Sequence, residues 1–411
     1  MLTYDVLAPL IDQKKDFILE LQKNMTRLVA IAPPEGDGET PKADYLEAEL
    51  RKLKFDEIKR IEVPDDRVTA KSRPNLLAKY YGQDKQRTLW LMCHMDVVPA
   101  GDLSAWKTPP FELTVDADGD TIYGRGVEDN QQAIAAAFAL AKTLMEQKEK
   151  PPVTLGVMIL ADEEVGSAHG LNYILEHQRD IFGPQDLFIV QDMGDPDGRE
   201  IEIAEKSVCW AKFTTNGVQC HSSMPELGVN ANIAAMDLLL RLNSKLPRLF
   251  PKKDPLFAPA ASTFVATKRE ANVPNVNSVP GKDVSYVDCR LLPCYQFADL
   301  EKAIKEEMQA VEKQYEVSID LEWVNKAASK ATDPKHPLVQ NYIKAVEKVH
   351  KTKTKVIGVG GGTFAAEIRN LDLPAIVAGR TYNNPHNPNE KASLQWMLDD
   401  AKVVLDVLLN C

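Results

Sequence analysis

Three apolar runs in this chain stop at the same kind of residue, and that coincidence restricts the fold more than anything else in it. Thr88-Leu-Trp-Leu-Met-Cys-His94 ends in an imidazole, with Asp96 two residues on; Val153-Thr-Leu-Gly-Val-Met-Ile-Leu-Ala161 runs into Asp162-Glu-Glu164; Asp186-Leu-Phe-Ile-Val-Gln-Asp192 ends in an acid. Short continuous apolar runs read as strands buried on both faces, the kind found in parallel sheets covered by helices. Helical periodicity lies between them, above all in the Ala-rich stretch 131–148. The predicted fold is therefore α/β, a mostly parallel sheet flanked by helices, with polar groups gathered along its carboxyl edge. His94 and Asp96, at i and i+2 on an extended backbone, point to one side, and Cys93 points away from them.

Around this frame the periodicities predict helices over 6–29 and 42–53 and a strand over 75–81. The Pro-containing segment 100–120 is too long for a plain connector and reads as part of a rim. From Ser207 the rhythm changes: strand 208–216, helix 230–246, strands 262–269 and 284–291, helix 298–315, strand 317–324. That β-α-β-β-α-β order predicts an inserted ferredoxin-like α+β domain. The α/β rhythm then returns with helix 337–350, strand 353–359, the loop Gly360-Gly-Gly-Thr363, helix 364–370, strand 375–379, a loop carrying His386, and helix 394–409. The expected division is an α/β domain over 1–206 and 327–411, interrupted by the inserted domain over 207–326.

Charge narrows the partners. Lys and Arg total 49 against 60 Asp and Glu, a net charge of −11, which argues against nucleic acid or an anionic membrane as partner. The opening residues Met1-Leu-Thr-Tyr-Asp-Val lack the basic and apolar regions of a signal peptide, and the six cysteines contain no C-x-x-C pair. The cytoplasm is the expected compartment.

The strand-end and loop residues, in order, are His94, Asp96, Asp129, Glu163, Glu164, Asp192 and His386. Two imidazoles and several carboxylates without a thiolate suit Zn²⁺, Mn²⁺ or Co²⁺. One carboxylate more than a single ion needs is what a bridging ligand between two ions would supply. Adjacent Glu163 and Glu164 at a buried strand end repel each other unless a cation takes one and a proton visits the other. A metal-held glutamate would then clamp an ion, while its neighbour moves a proton.

At this point the sequence resembles the M20 metallopeptidase family, the group of carboxypeptidase G2, the desuccinylases, the aminoacylases and the carnosinase-like dipeptidases. The matching segments are Cys93-His-Met-Asp-Val-Val-Pro99, Tyr123-Gly-Arg-Gly-Val-Glu-Asp129, Ala161-Asp-Glu-Glu-Val-Gly166 and Gln219-Cys-His-Ser-Ser-Met-Pro225. Asn275-Val-Asn-Ser-Val-Pro280, Asp288-Cys-Arg-Leu-Leu-Pro293, Gly361-Gly-Thr363 and Asn384-Pro-His-Asn-Pro-Asn-Glu390 complete the set, in family order over nearly the whole chain.

The resemblance implies a zinc-peptidase-like fold whose inserted domain serves as lid and dimerisation domain. It implies that His94, Asp129 and Asp192 hold one divalent ion, and Asp129, Glu164 and His386 a second, with zinc first and manganese or cobalt as alternatives. Glu163 would be the general base and then acid, and Asp96 would orient His94. His221 would polarise the scissile carbonyl, commonly in the partner subunit's site, and Arg290, Asn277, Gly361, Gly362 and Thr363 would hold the substrate carboxylate. Two positions depart from the pattern: Gln131 stands where a Lys is frequent, and Phe364 where many desuccinylase-like members carry Asp. Phe364, with Asp rather than Glu at 192, is closer to the dipeptidase and aminopeptidase branches.

Taken singly, each residue has a plainer reading. Asp129 is also a helix N-cap, Asp192 a turn former, Glu163 and Glu164 a solvated pair, His221 and His386 loop histidines, and Arg290 a surface ion-pair partner. The expected function is a dinuclear metal-dependent hydrolase of a small substrate with a free carboxylate, most simply a dipeptidase or short-peptide exopeptidase. An N-acyl amino acid deacylase or desuccinylase is the first alternative, and a non-catalytic homodimeric binding protein the alternative from another class.

Overall fold

The computed structural model describes residues 2–411. They form two compact units, one of 2–203, 332–356 and 363–411, the other of 204–331 and 357–362. The strands Glu200–Glu205 and Lys355–Val359 carry the chain across the boundary.

The first unit is built on a sheet whose parallel centre is Val153–Leu160, Asp84–His94, Leu187–Val190 and Ala375–Val377, in that order. Antiparallel strands border it: Ser72–Tyr80 pairs with Val153–Leu160, Glu57–Pro64 lies outside Ser72–Tyr80, and Glu202 faces Val377 on the other side. His94 lies opposite Leu160 and Met92 opposite Val190, so the neighbouring strands end at one edge. Trp90, Met92, Met158, Leu160, Phe188 and Val190 pack on one face against Leu171, Ile174, Phe364, Ala365 and Ile368. The opposite face meets the helix Gln131–Met145, nearly all of which is buried. Burial on both faces is why these strands are apolar at every position rather than at alternate ones.

The second unit is a four-stranded antiparallel sheet in the order Thr263–Arg269, Lys282–Leu291, Ser207–Asn216, Ser318–Ala327. The helices Ala231–Leu249 and Phe297–Tyr315 cover one face, with Leu238, Leu242, Ile304 and Val311 meeting Ala211, Phe213, Val287 and Cys289 in its core. This is the predicted ferredoxin-like arrangement. In Ser207–Asn216 burial alternates from Cys209 onward, as a sheet with one covered face requires.

Some elements differ from expectation. The helix expected over 6–29 is two helices, Tyr4–Asp12 and Lys15–Arg27. The apolar spacing of Leu7, Ile11, Ile18 and Leu21 is interrupted at Asp12-Gln-Lys-Lys15, and Lys14 is drawn inward to Glu146. The strands Glu57–Pro64 and Glu200–Glu205 were hidden by their charges; Glu62 and Lys59 face solvent, whereas Glu202 is buried against Arg369. No helix among the described residues is long and apolar enough to cross a membrane.

Behind the strand ends lies a buried ionic cluster. Arg73, fully buried, donates through Nε and Nη2 to Glu39, and its Nη1 lies 2.9 Å from Asp162 and 3.4 Å from Asp65. Asp162 in turn accepts from the His169 backbone N–H, and its own N–H donates to Glu39, which fixes the start of the Glu163–Glu164 turn. Removing one partner from a buried ion cluster costs more than the cluster's net worth, because the remaining charges stay desolvated. Arg73→Ala is expected to lower unfolding stability by about 3–5 kcal/mol. Arg73→Lys should recover only part, since an ammonium cannot make the paired fork. Urea denaturation, with a shifted midpoint at constant slope, measures both.

Candidate metal centre

His94 closes the central strand, and its environment is dry: His94 and Asp96 are almost completely buried. Nδ1 of His94 lies 3.1 Å from the main-chain carbonyl of Asp96 and 3.4 Å from its carboxylate. With Nδ1 directed at these oxygens, Nε2 is the nitrogen offered to the cleft. The Asp96 carboxylate also accepts the Glu164 N–H at 3.0 Å, so one residue ties two neighbouring strand ends together.

Asp129 lies between two imidazoles. Its Oδ1 is 2.9 Å from Nε2 of His94, and its Oδ2 is 3.1 Å from Nε2 of His386. Asp192 Oδ1 adds a carboxylate 3.5 Å from His94 Nε2, and Glu164 Oε2 one 3.0 Å from His386 Nε2. The five side chains therefore fall into two groups sharing one carboxylate. Ligand atoms around a tetrahedral zinc-like ion, with bonds near 2.0–2.1 Å, stand about 3.3 Å apart. The observed separations are of that size, and His94, Asp129 and Glu164 together meet the spacing required of a metal-binding group. Oε1 of Glu164 is buried with no hydrogen-bond partner, as expected of an oxygen left for an ion. The residues fit divalent cations.

Electrostatics point the same way. Burial opposes charge on His94, but Asp129, Asp192 and Asp96 raise its pKa well above the usual imidazole value. Bonds to Asp129 and Glu164 push His386 up to about 10. Burial opposes ionisation of Asp129, yet His386 and His94 hold its carboxyl below the ordinary carboxylate range. Burial, then the neighbouring acids Asp192, Glu164 and Asp96, raise Glu163 well above its usual value. Burial also raises Glu164.

His221, Asn277, Arg290, Gly361 and Gly362 belong to the second unit. His221 is exposed, its Nδ1 held by the Ser223 N–H and hydroxyl. Asn277 is exposed and accepts from Asn275. Arg290 donates to Asp288 through Nε and Nη2 and to the Gly360 carbonyl through Nη1, which leaves one N–H on each terminal nitrogen. Gly361 and Gly362 are exposed, whereas Thr363, in the first unit, caps the helix Phe364–Asn370 through its hydroxyl. Phe364 is buried with its ring edge-on to His94, and Gln131 accepts from the Thr26 hydroxyl.

Several residues that matter here were not singled out as site residues from the sequence. Asn130 stands at the N-cap position of Gln131–Met145 but makes no cap bond; its Oδ1 accepts the His94 N–H, and its Nδ2 donates to the Gln191 carbonyl and to Asp192. Gly126 is required where it stands: φ is +85°, and a Cβ would meet Val97 at 2.5 Å. Lys42 is a buried ammonium, pushed down to about 8 by burial against the pull of Asp96, Glu39 and Glu390. Glu128 and Glu390, both buried, bond the backbones of the loops that carry His386 and Asp129; burial raises both, Glu128 to about 7. The His386 loop needs such support, since Asn383, His386 and Asn389 have left-handed φ of 56°, 62° and 60°, each costing about 1–3 kcal/mol. Both glutamates stand in the matching segments 123–129 and 384–390, but neither segment says which backbone groups they bond.

Comparison with known proteins agrees with this geometry. The chain matches the family model Peptidase family M20/M25/M40 over residues 90–410. An uncharacterized metallohydrolase of Methanococcus maripaludis is 35% identical, the match covering 96% of this chain and 99% of the relative. A succinyl-diaminopimelate desuccinylase of Cereibacter sphaeroides is 27% identical over 91% of this chain and 93% of its own length. The fold is shared with the di-peptidase Dug1p of Saccharomyces cerevisiae, at TM-score 0.73, 16% identity and coverage of 99% and 98%.

The raised imidazoles generate a prediction about pH. With its pKa pushed up to about 10, His386 holds a proton on the nitrogen that would face an ion, and His94 likewise holds one well above its usual range. Loading the centre therefore releases about two protons, and ion affinity falls as pH falls, by about tenfold per unit for each proton displaced. Calorimetric titration of metal-free protein with Zn²⁺ in two buffers of different ionisation enthalpy counts the released protons; a count near zero contradicts the assignment.

Proposed function

The chain belongs to peptidase family M20/M25/M40 and is a hydrolase of peptide or amide bonds, and from that premise we propose a dinuclear metal-dependent peptidase that cleaves a dipeptide or similarly short peptide with a free carboxylate. The observation that carries the proposal is Asp129, with one oxygen toward His94 and the other toward His386. His94, Asp129 and Asp192 would hold one ion, and Asp129, Glu164 and His386 the other, zinc first among Zn²⁺, Mn²⁺ and Co²⁺. Such ions, when bound, supply Lewis acidity toward a carbonyl and lower the pKa of water.

The protein's own groups do the rest. Glu163 is partly buried beside the ligand cluster and has no role in holding it, and its raised pKa gives it the proton affinity a shuttle needs. It takes the proton of the attacking water and delivers it to the leaving amine nitrogen. Asp96 keeps His94 in the orientation that presents Nε2. His221 would donate to the developing oxyanion, and Arg290, with its two uncommitted N–H groups, would receive the substrate carboxylate alongside Asn277, Gly361, Gly362 and Thr363.

Deacylation of an N-acyl amino acid, including desuccinylation, is the second reading, favoured by the 27% identical desuccinylase. Phe364 bears on the choice only through His94, because it is buried. A non-catalytic binding protein would have no use for a carboxyl such as Glu163 next to a full ligand set. Cytoplasmic location is supported by six free cysteines. A homodimer through the inserted unit is supported by Ile233, Met236 and Leu240, an exposed apolar stripe on Ala231–Leu249.

Glu163→Gln is expected to lower kcat by about 10²–10⁴-fold while ion content stays at the wild-type level; full activity in that variant would disqualify Glu163 as the proton carrier. A panel of dipeptides against N-acetyl and N-succinyl amino acids, with and without chelator, should show chelator-sensitive turnover of the dipeptides. Turnover confined to the acylated amino acids selects the second reading, and none at all the third. Sedimentation velocity should give a dimer that Leu240→Glu dissociates; a wild-type monomer contradicts the pairing.

A further inference from the structure

Asp129 and His386 stand on loops more than 250 residues apart, and two buried glutamates bind those loops to each other. Glu390 Oε1 accepts the backbone N–H groups of Glu128 at 2.9 Å and Asp129 at 3.0 Å. Its Oε2 accepts the Gly126 N–H at 3.0 Å and Arg125 Nη1 at 2.7 Å. In the reverse direction, Glu128 accepts the N–H groups of Tyr382 and Asn384. Arg125 Nη2 donates to the carbonyl of His386 itself at 3.1 Å. The contact continues as an antiparallel ribbon in which Lys391, Ala392 and Ser393 face Tyr123, Ile122 and Thr121. Each loop thus lends the other a buried carboxylate, and each carboxylate is spent on backbone N–H groups that no regular element satisfies.

The other side of the centre has a different support. Asn130 links the His94 N–H, the Gln191 carbonyl and Asp192, at 3.2, 2.9 and 2.8 Å. None of these bonds involves the His386 loop, and none of the glutamate bonds involves His94 or Asp192. Asp129 lies between the two supports, with Glu390 on its own N–H and Asn130 as its neighbour in the chain.

We propose that two separate frames position the centre: Asn130 sets His94 and Asp192, and hence the first ion, whereas the reciprocal pair Glu128 and Glu390 sets His386 against Asp129, and hence the second. These are positioning residues, and the inference rests on the metal-centre reading above. Losing one frame should loosen one ion and spare the other, because the bonds of Asn130 to His94, Gln191 and Asp192 and the bonds of the two glutamates share no residue.

The test reads binding rather than turnover. Zn²⁺ affinities are measured by competition with a chromophoric chelator for the full-length wild type and for Glu390→Gln, Glu128→Gln and Asn130→Asp. Each change is repeated in His386→Ala, which keeps only the first subsite. Wild type should bind two ions. Glu390→Gln and Glu128→Gln should each weaken one of them by about 10–100-fold and leave the single ion of His386→Ala within about threefold. Asn130→Asp should weaken the ion that His386→Ala retains. If Glu390→Gln does not fold, Glu128→Gln tests the same frame from the opposite loop. Equal weakening of both ions by either glutamine variant, or no weakening of either, overturns the two frames while leaving the metal centre standing. Wild type that binds no Zn²⁺ removes the centre and the frames together.

Discussion

Concentrated negative charge is the constraint around which this molecule is arranged. Asp96, Asp129, Glu163, Glu164 and Asp192 gather at one end of a parallel sheet, and the two imidazoles beside them are held protonated far above their ordinary range. Such a cluster is stable in a dry interior only when positive charge enters it. In metal-free protein the imidazolium protons meet part of that need. A pair of divalent ions would meet it more fully and would return the imidazoles to their neutral, ligating form.

The scaffold behind the site answers the same constraint with fixed groups. Arg73 pairs with Glu39 and Asp162, and Lys42 lies within electrostatic reach of Asp96 and Glu390. Both cations come from the first eighty residues, outside the strands that carry the ligands. Position 131 holds a neutral amide bonded to Thr26, and Lys42 and Arg125 are buried cations that act on this region. Precision then comes from carboxylates and amides used as backbone receptors: Glu390 and Glu128 take loop N–H groups outside the helices and strands, and Asn130 takes the N–H of His94 at the end of its strand. A ligand on a loop is only as well placed as the backbone under it, and here that backbone is tied at nearly every peptide.

Much of this was legible beforehand. Trp90, Met158 and Phe188 mark strands buried on both faces, and a run of that kind has few alternatives to a parallel sheet. The alternation in Ser207–Asn216 and the helix–strand order after it spelled the ferredoxin-like unit. His94, Glu164 and Asp192 announced themselves because they follow apolar runs at their ends, where the sheet geometry makes side chains converge. Other features were silent. Glu57–Pro64 looks like surface sequence because half its residues are charged, and the break at Gln13–Lys14 depends on Glu146, far along the chain.

By itself, then, the sequence determined the strands, the inserted unit and the chemical identity of the site's side chains, because those follow from local periodicity and from residue type. Tertiary structure alone decided which oxygen of Asp129 faces which imidazole, that Phe364 packs behind His94 instead of lining a cleft, and that Glu390 serves the Asp129 loop. The reason is physical: a hydropathy pattern constrains a residue's own face of its own element. A hydrogen bond from the Asp129 N–H to a carboxylate 261 positions away is written in neither segment until the fold has brought both together.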